Sequence, residues 1–245
     1  MKLPRSLPSL RGFTLVEVMV AMTIVGLVFA GAMSTYLLGL QGMYKDEQRL
    51  VTNATLRYFV DQVSIKALSA TDFYVFPNYQ SLNGNVDLVN GVSPLVADSY
   101  GTYLAYGDCL VLVTLVSDVS SNSYVRQFCI YYRQTASTGA TAPIRFYQSQ
   151  DYGTSGTSTT LTALLNAVNL NATPAIAGSQ VVVANSRGRL KNGSTTTYYP
   201  IFATESATAT PTDDSVSINV EVINGTTVNN LLSSSSFNYT ISPRK

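Results

Sequence analysis

Glu17 and Phe13 are the residues best placed for chemistry in this chain, because of what surrounds them. Glu17 is the only charged side chain between Arg11 and Lys45. From Val18 to Tyr44 no Asp, Glu, Lys or Arg occurs, a tract longer than the ~20 residues a helix needs to cross a ~30 Å hydrocarbon core. A carboxylate at one end of such a span is costly to bury and calls for a partner or a purpose. If the bond between Gly12 and Phe13 were cut, the new α-ammonium of Phe13 would lie one helical turn from Glu17, or beside the Glu17 of a neighbouring copy. The buried acid would then acquire a counter-ion.

Other reactive groups are scarce. The 245 residues include no histidine, which rules out Ser-His-Asp and Cys-His chemistry and any His-ligated zinc site. No glycine-rich phosphate loop follows a strand, no carboxylate pair stands in an obvious catalytic setting, and no acidic loop makes a calcium site. The expectation is a protein that is not an enzyme, with no cofactor and no metal. Cys109 and Cys129 are the only cysteines. If residues 109–116 and 124–132 form a hairpin turning near Val119, the two fall almost opposite each other, and a disulfide is expected; the alternative is a pair of small buried hydrophobes.

The chain is 46% hydrophobic and only 12% charged, with long stretches in which Ser, Thr and Asn replace charges. Without residues 1–12, twelve basic residues face fourteen acidic ones, so no basic patch argues for nucleic acid as the main partner. Residues 1–12 hold Lys2, Arg5 and Arg11 with Pro4 and Pro8, and read as a basic leader that stays on the cytoplasmic side. An ordinary secretory signal ending at Ala30-Gly31-Ala32 fits less well, because Glu17 would interrupt its apolar region. Residues 13–44 read as the membrane half of a helix and residues 45–70 as its amphipathic half. In the latter, Leu56, Phe59, Val60, Val63 and Ala67 keep helical spacing, with Asp46, Glu47, Arg49, Arg57, Asp61 and Lys66 as the polar side. No proline interrupts the chain between Phe13 and Phe76, so one helix of ~84 Å is expected, its second half seated on the chain's own sheet.

Residues 71–245 read as a β-rich domain. Strands are expected at 73–76, 109–116, 124–132, 144–148, 181–184, 198–203, 216–223 and 237–241, and a short helix at 160–170 behind Ser158 and Thr159. The near-continuous apolar run 109–116 suggests a strand covered on both faces, whereas Val216, Ile218, Val220 and Val222 alternate cleanly with polar residues. Residues 135–142, 152–160, 204–215 and 225–236 are expected as solvated loops.

The run Gly12-Phe13-Thr14-Leu15-Val16-Glu17 behind a short basic leader resembles the N-terminus of type IV prepilins and of the pseudopilins of type II secretion systems. The resemblance covers roughly residues 5–45. It implies an α+β, pilin-like fold in which a long N-terminal helix packs on an antiparallel sheet. It also implies cleavage after Gly12 by a membrane-embedded prepilin peptidase, methylation of Phe13, and assembly through Glu17. Implied partners are other pilin or pseudopilin subunits and an inner-membrane assembly platform. The implied location is a single-pass anchor in the inner membrane with the domain in the periplasm, or at the cell surface within a pilus. Length and irregular loops favour a minor subunit. The alternative from another class is a membrane-anchored extracytoplasmic binding module that enters no filament.

Overall fold

The first element, α1, runs Leu15–Ser69, 55 residues, close to the expected bounds. A computed structural model of the chain describes residues 12–83, 96–97, 103–117, 122–134, 141–168, 175–188, 198–206, 215–224 and 233–241; the rest of the leader, residues 1–11, lies outside them. The chain divides into two compact units, Met1–Glu47 and Gln48–Lys245. Along α1 the hydroxyls of Thr23, Thr35, Thr52 and Thr55 donate to carbonyls one turn back, those of Val20, Gly31, Gln48 and Val51, which satisfies them without leaving the helix. The helix ends where Thr71 diverts the backbone: its N–H donates to the Val113 carbonyl, and its hydroxyl accepts from the Leu115 N–H.

Within the second unit, Thr52, Leu56, Phe59, Val60, Val63 and Ala67 are the buried face of α1. They pack into one core with sheet residues such as Leu110, Leu112, Tyr131, Ile144, Val183, Phe202 and Ile218. Each large side chain so buried contributes roughly 1.5–3 kcal/mol, so this face holds the helix on the sheet far more strongly than helix propensity does.

The strands are β1 (Asp72–Phe76), β2 (Val96–Ala97), β3 (Tyr103–Gly107), β4 (Cys109–Ser117), β5 (Ser123–Arg133), β6 (Ala142–Gln148), β7 (Gln180–Gly188), β8 (Phe202–Ser206), β9 (Val216–Asn224) and β10 (Ser233–Ile241). Among the described residues they form one sheet in the order β1-β4-β5-β6-β7-β9-β8-β3-β2, with β10 also paired to β9; every pairing is antiparallel. The sheet curls until β1 and β3 touch. There the Asp108 N–H donates to the Pro77 carbonyl at 3.0 Å, and a Cβ on Gly107 would lie 1.8 Å from the Phe76 carbonyl oxygen, so only glycine fits. The α+β, pilin-like arrangement expected from sequence is the one found.

The face of the sheet opposite α1 is covered too. Cys109, Val111, Val113, Phe128, Ile130 and Tyr132 pack there against Leu161 and Leu165 of α2 (Leu161–Ala167), Tyr79 and Leu82 of the 3₁₀ turn Tyr79–Asn83, and Ile176. From Cys109 to Val113, β4 is therefore buried on both sides, as its apolar run suggests. The seam where β3 turns into β4 carries a buried ion pair: Arg133 donates from Nε to Asp108 Oδ2 at 3.2 Å and from its backbone N–H to the Asp108 carbonyl at 2.9 Å. Asp108 Oδ1 accepts from the Ile201 N–H at 3.2 Å.

Four expectations are corrected. β3 forms at Tyr103–Gly107, where no strand is expected. β8 runs Phe202–Ser206 rather than 198–203: Pro200 has no N–H to give to a ladder, and Thr204–Ser206, expected as loop, pair with Tyr103–Ala105 of β3. β10 starts at Ser233, inside a run expected as solvated loop, because Ser233–Ser236 pair backbone to backbone with Glu221–Asn224 of β9 and need no β-forming side chains. The helix cap is Thr160, whose side chain accepts from the Ala163 N–H, rather than Ser158 or Thr159. Of the loops expected at 135–142, 204–215 and 225–236, residues 135–140, 207–214 and 225–232 lie outside the described residues, and Ala142 already belongs to β6.

Candidate functional site: the N-terminal motif

Gly12, Phe13 and Thr14 precede the helix, and all three are exposed. The Gly12–Phe13 bond thus lies in non-helical chain, and a Cβ at Gly12 would meet nothing within 4 Å. An accessible, non-helical stretch is where a peptidase can take hold of a backbone.

Thr14 caps the helix. Its hydroxyl accepts from the Glu17 N–H at 3.3 Å, and Glu17 reaches back: Oε2 accepts from the Thr14 N–H at 2.9 Å and from the Thr14 hydroxyl at 2.9 Å. Thr14-Leu15-Val16-Glu17 is a capping box, in which side chains satisfy backbone N–H groups that the first turn leaves without partners. Phe13 and Val18 occupy the positions of the accompanying apolar staple and lie on one face with Glu17, Ala21, Met22 and Val25. The carboxylate also stands at the positive end of the helix dipole. Both side-chain bonds fall on Oε2, which leaves Oε1 open to a further donor.

Residues 15–47 are exposed almost along their whole length, including Leu27 at 75%, Phe29 at 71% and Met43 at 71%. Among the described residues α1 is the one helix long and apolar enough to cross a membrane. A Cβ added at Gly26, Gly31, Gly39 or Gly42 would meet nothing within 4 Å, so these glycines leave the helix surface indented and ready for close helix contacts.

The expected disulfide between Cys109 and Cys129 is corrected by the ladder. Both cysteines are free and buried. Cys109 stands opposite Tyr132, and Cys129 opposite Leu112, with the register shifting between Thr114 and Leu115. That places the two cysteines three positions apart on opposite faces of the sheet, Cys109 in the α2 core and Cys129 beside Leu112 on the α1 side. Burial raises both thiols, Cys109 well up and Cys129 to about 11, the latter opposed by Lys66. Burial of this kind disfavours the thiolate, which is the nucleophilic form. The cap made by Thr14 has a signal in the sequence that goes beyond the expectations above: a Thr three residues before a Glu, ahead of an apolar run, is the signature of a capping box.

Residues 9–33 match a family model described as the prokaryotic N-terminal methylation motif. No curated protein and no solved structure matches the chain. The matched segment contains the exposed Gly12–Phe13 bond, the capping box and the first turns of the apolar helix. In these residues the chain is similar to the N-terminus of type IV prepilins and pseudopilins.

Proposed function

We propose that this chain is a minor structural subunit of a type IV pilus or type II secretion filament, cut between Gly12 and Phe13, methylated on Phe13 and assembled through its N-terminal helix. The observation that carries the reading is the coincidence, within residues 9–33, of a methylation motif, an exposed bond ahead of the helix and a wholly exposed apolar stretch of α1. The apolar half is seated first in the inner membrane and then among the helices of other subunits, with the β-domain outside the cytoplasm. Prepilin peptidase and an inner-membrane assembly platform are the partners such a route requires.

Glu17 has the part of a register device in this reading. Oε2 holds the cap of its own helix while Oε1 accepts from the Phe13 ammonium of a neighbouring subunit. In an apolar core such a pair acts chiefly by sparing both charges from standing alone, so it selects one axial position among many that are equally apolar. The test is the N-terminal residue and mass of the protein recovered from its native membranes. A chain starting at Phe13 with one added methyl group supports the reading; an intact Met1 or a start at Met33 defeats it.

A further inference from the structure

We infer that the buried Asp108–Arg133 pair fixes the register of the β4–β5 hairpin, and that a Cys109–Cys129 disulfide belongs to the same hairpin paired three residues out of register, so that oxidation of these thiols excludes the native fold.

Register is usually set by a strand that is apolar on one face and polar on the other, because an odd slip then turns the apolar side to water. This hairpin lacks that guard at its core end. In β4 every residue from Cys109 to Val113 is buried, and in β5 every residue from Phe128 to Arg133 is buried. A slip by an odd number of residues exchanges one apolar side chain for another over most of this length. Arg133 is the exception. In the native ladder it lies beside Asp108, and the two side chains are 0% and 2% exposed. A slip of three residues carries the guanidinium about 10 Å along the strand and leaves two buried charges without each other.

The same slip moves Cys129 from opposite Leu112 to opposite Cys109. Residues facing each other across an antiparallel ladder have Cα atoms ~4.5–5.5 Å apart, within reach of a disulfide. Formation of that bond removes two protons and two electrons from the pair of thiols. A small disulfide oxidant such as oxidised glutathione accepts them, passing through a mixed disulfide and leaving as two thiols. In the native register no such bond is reachable, and burial keeps both thiols protonated.

The test uses the full-length chain in detergent with Leu112→Cys added. Cys129 can then bond to the introduced thiol only in the native register, and to Cys109 only in the slipped one. After reduction and denaturation the chain is refolded in a glutathione redox buffer, and the two disulfides are counted by peptide mass spectrometry. In denaturant the two loops are nearly equal in length, so the ratio of native to slipped bond is about one. With Asp108 intact the ratio is expected to rise at least about tenfold on refolding, and with Asp108→Asn to return to about one while the refolded chain keeps the sheet content of the wild type by circular dichroism. A ratio that stays at least about tenfold above the denatured value in Asp108→Asn shows a register that needs no such pair and overturns the inference. So does a Cys109–Cys129 bonded chain, without Leu112→Cys, that resists trypsin as well as the reduced chain does.

Discussion

The two halves of α1 contain similar side chains and meet different surroundings. In residues 15–47 Phe29 is 71% exposed, whereas in residues 48–69 Phe59 and Val63 are fully buried. The second half interleaves Arg57, Asp61 and Lys66 with its apolar residues, so one face is defined and the sheet covers it. The first half is apolar all round and offers no single face for a sheet to take. A helix of that kind is matched to lipid or to other helices, and it is there that the methylation motif lies. The contrast is incomplete, because Leu50, Tyr58, Ile65 and Leu68 remain exposed in the second half. Apolar content therefore tells how much surface must be covered; periodicity tells whether the chain itself can cover it.

The largest test of this contrast strikes the first half alone. Gly12→Glu is expected to abolish cleavage, so that the mass of the membrane-bound protein remains that of the uncut chain while the β-domain melts at an unchanged temperature. Normal processing of this variant would remove Gly12 from the processing site. Glu17→Ala is expected to be cut and to start at Phe13, yet to be missing from sheared filaments; its recovery there at wild-type level would deny Glu17 an assembly role.

Paired truncations sharpen the comparison further. Phe59→Ala should lower the stability of the domain by about 3–5 kcal/mol in denaturant unfolding, since it empties a closed site against Tyr131. Phe29→Ala, exposed in the other half, should change it by less than about 0.5 kcal/mol. Equal effects would mean that the two halves share one core. Alkaline titration separates them as well. Burial raises the Cys129 thiol to about 11 and lifts the Tyr74 and Tyr131 phenols above their usual range. The folded domain holds these protons more tightly than the unfolded chain, so its stability is complete below pH ~8.5 and declines as pH rises towards 11 and beyond. Thermal melts across that range should show the decline, while the helicity of residues 15–47 should not follow it.

The smallest effect is expected at the cap. Thr14→Ala removes one side of the capping box and should cost about 0.5–2 kcal/mol locally. Faster amide exchange in the first turn of α1, with no change in the domain melt, would show that; unchanged exchange would make the box incidental.

Sequence alone determined what depends on neighbours three or four positions away. The bounds of α1, its apolar half, its buried stripe from Leu56 to Ala67 and the motif around Gly12, Phe13 and Glu17 were all legible, because helix hydrogen bonds and helix faces are local. The alternation of Val216, Ile218, Val220 and Val222 was legible for the same reason, as a single strand declares its own faces. Tertiary structure decided what one strand does to another. It put β3 where no pattern announced a strand, paired the serines of β10 with β9, and shifted the β4–β5 ladder so that Cys109 and Cys129 face opposite cores. A strand's partner and register are set by contacts distant in sequence, and in β4, apolar on both sides, no periodicity remains from which either could be read.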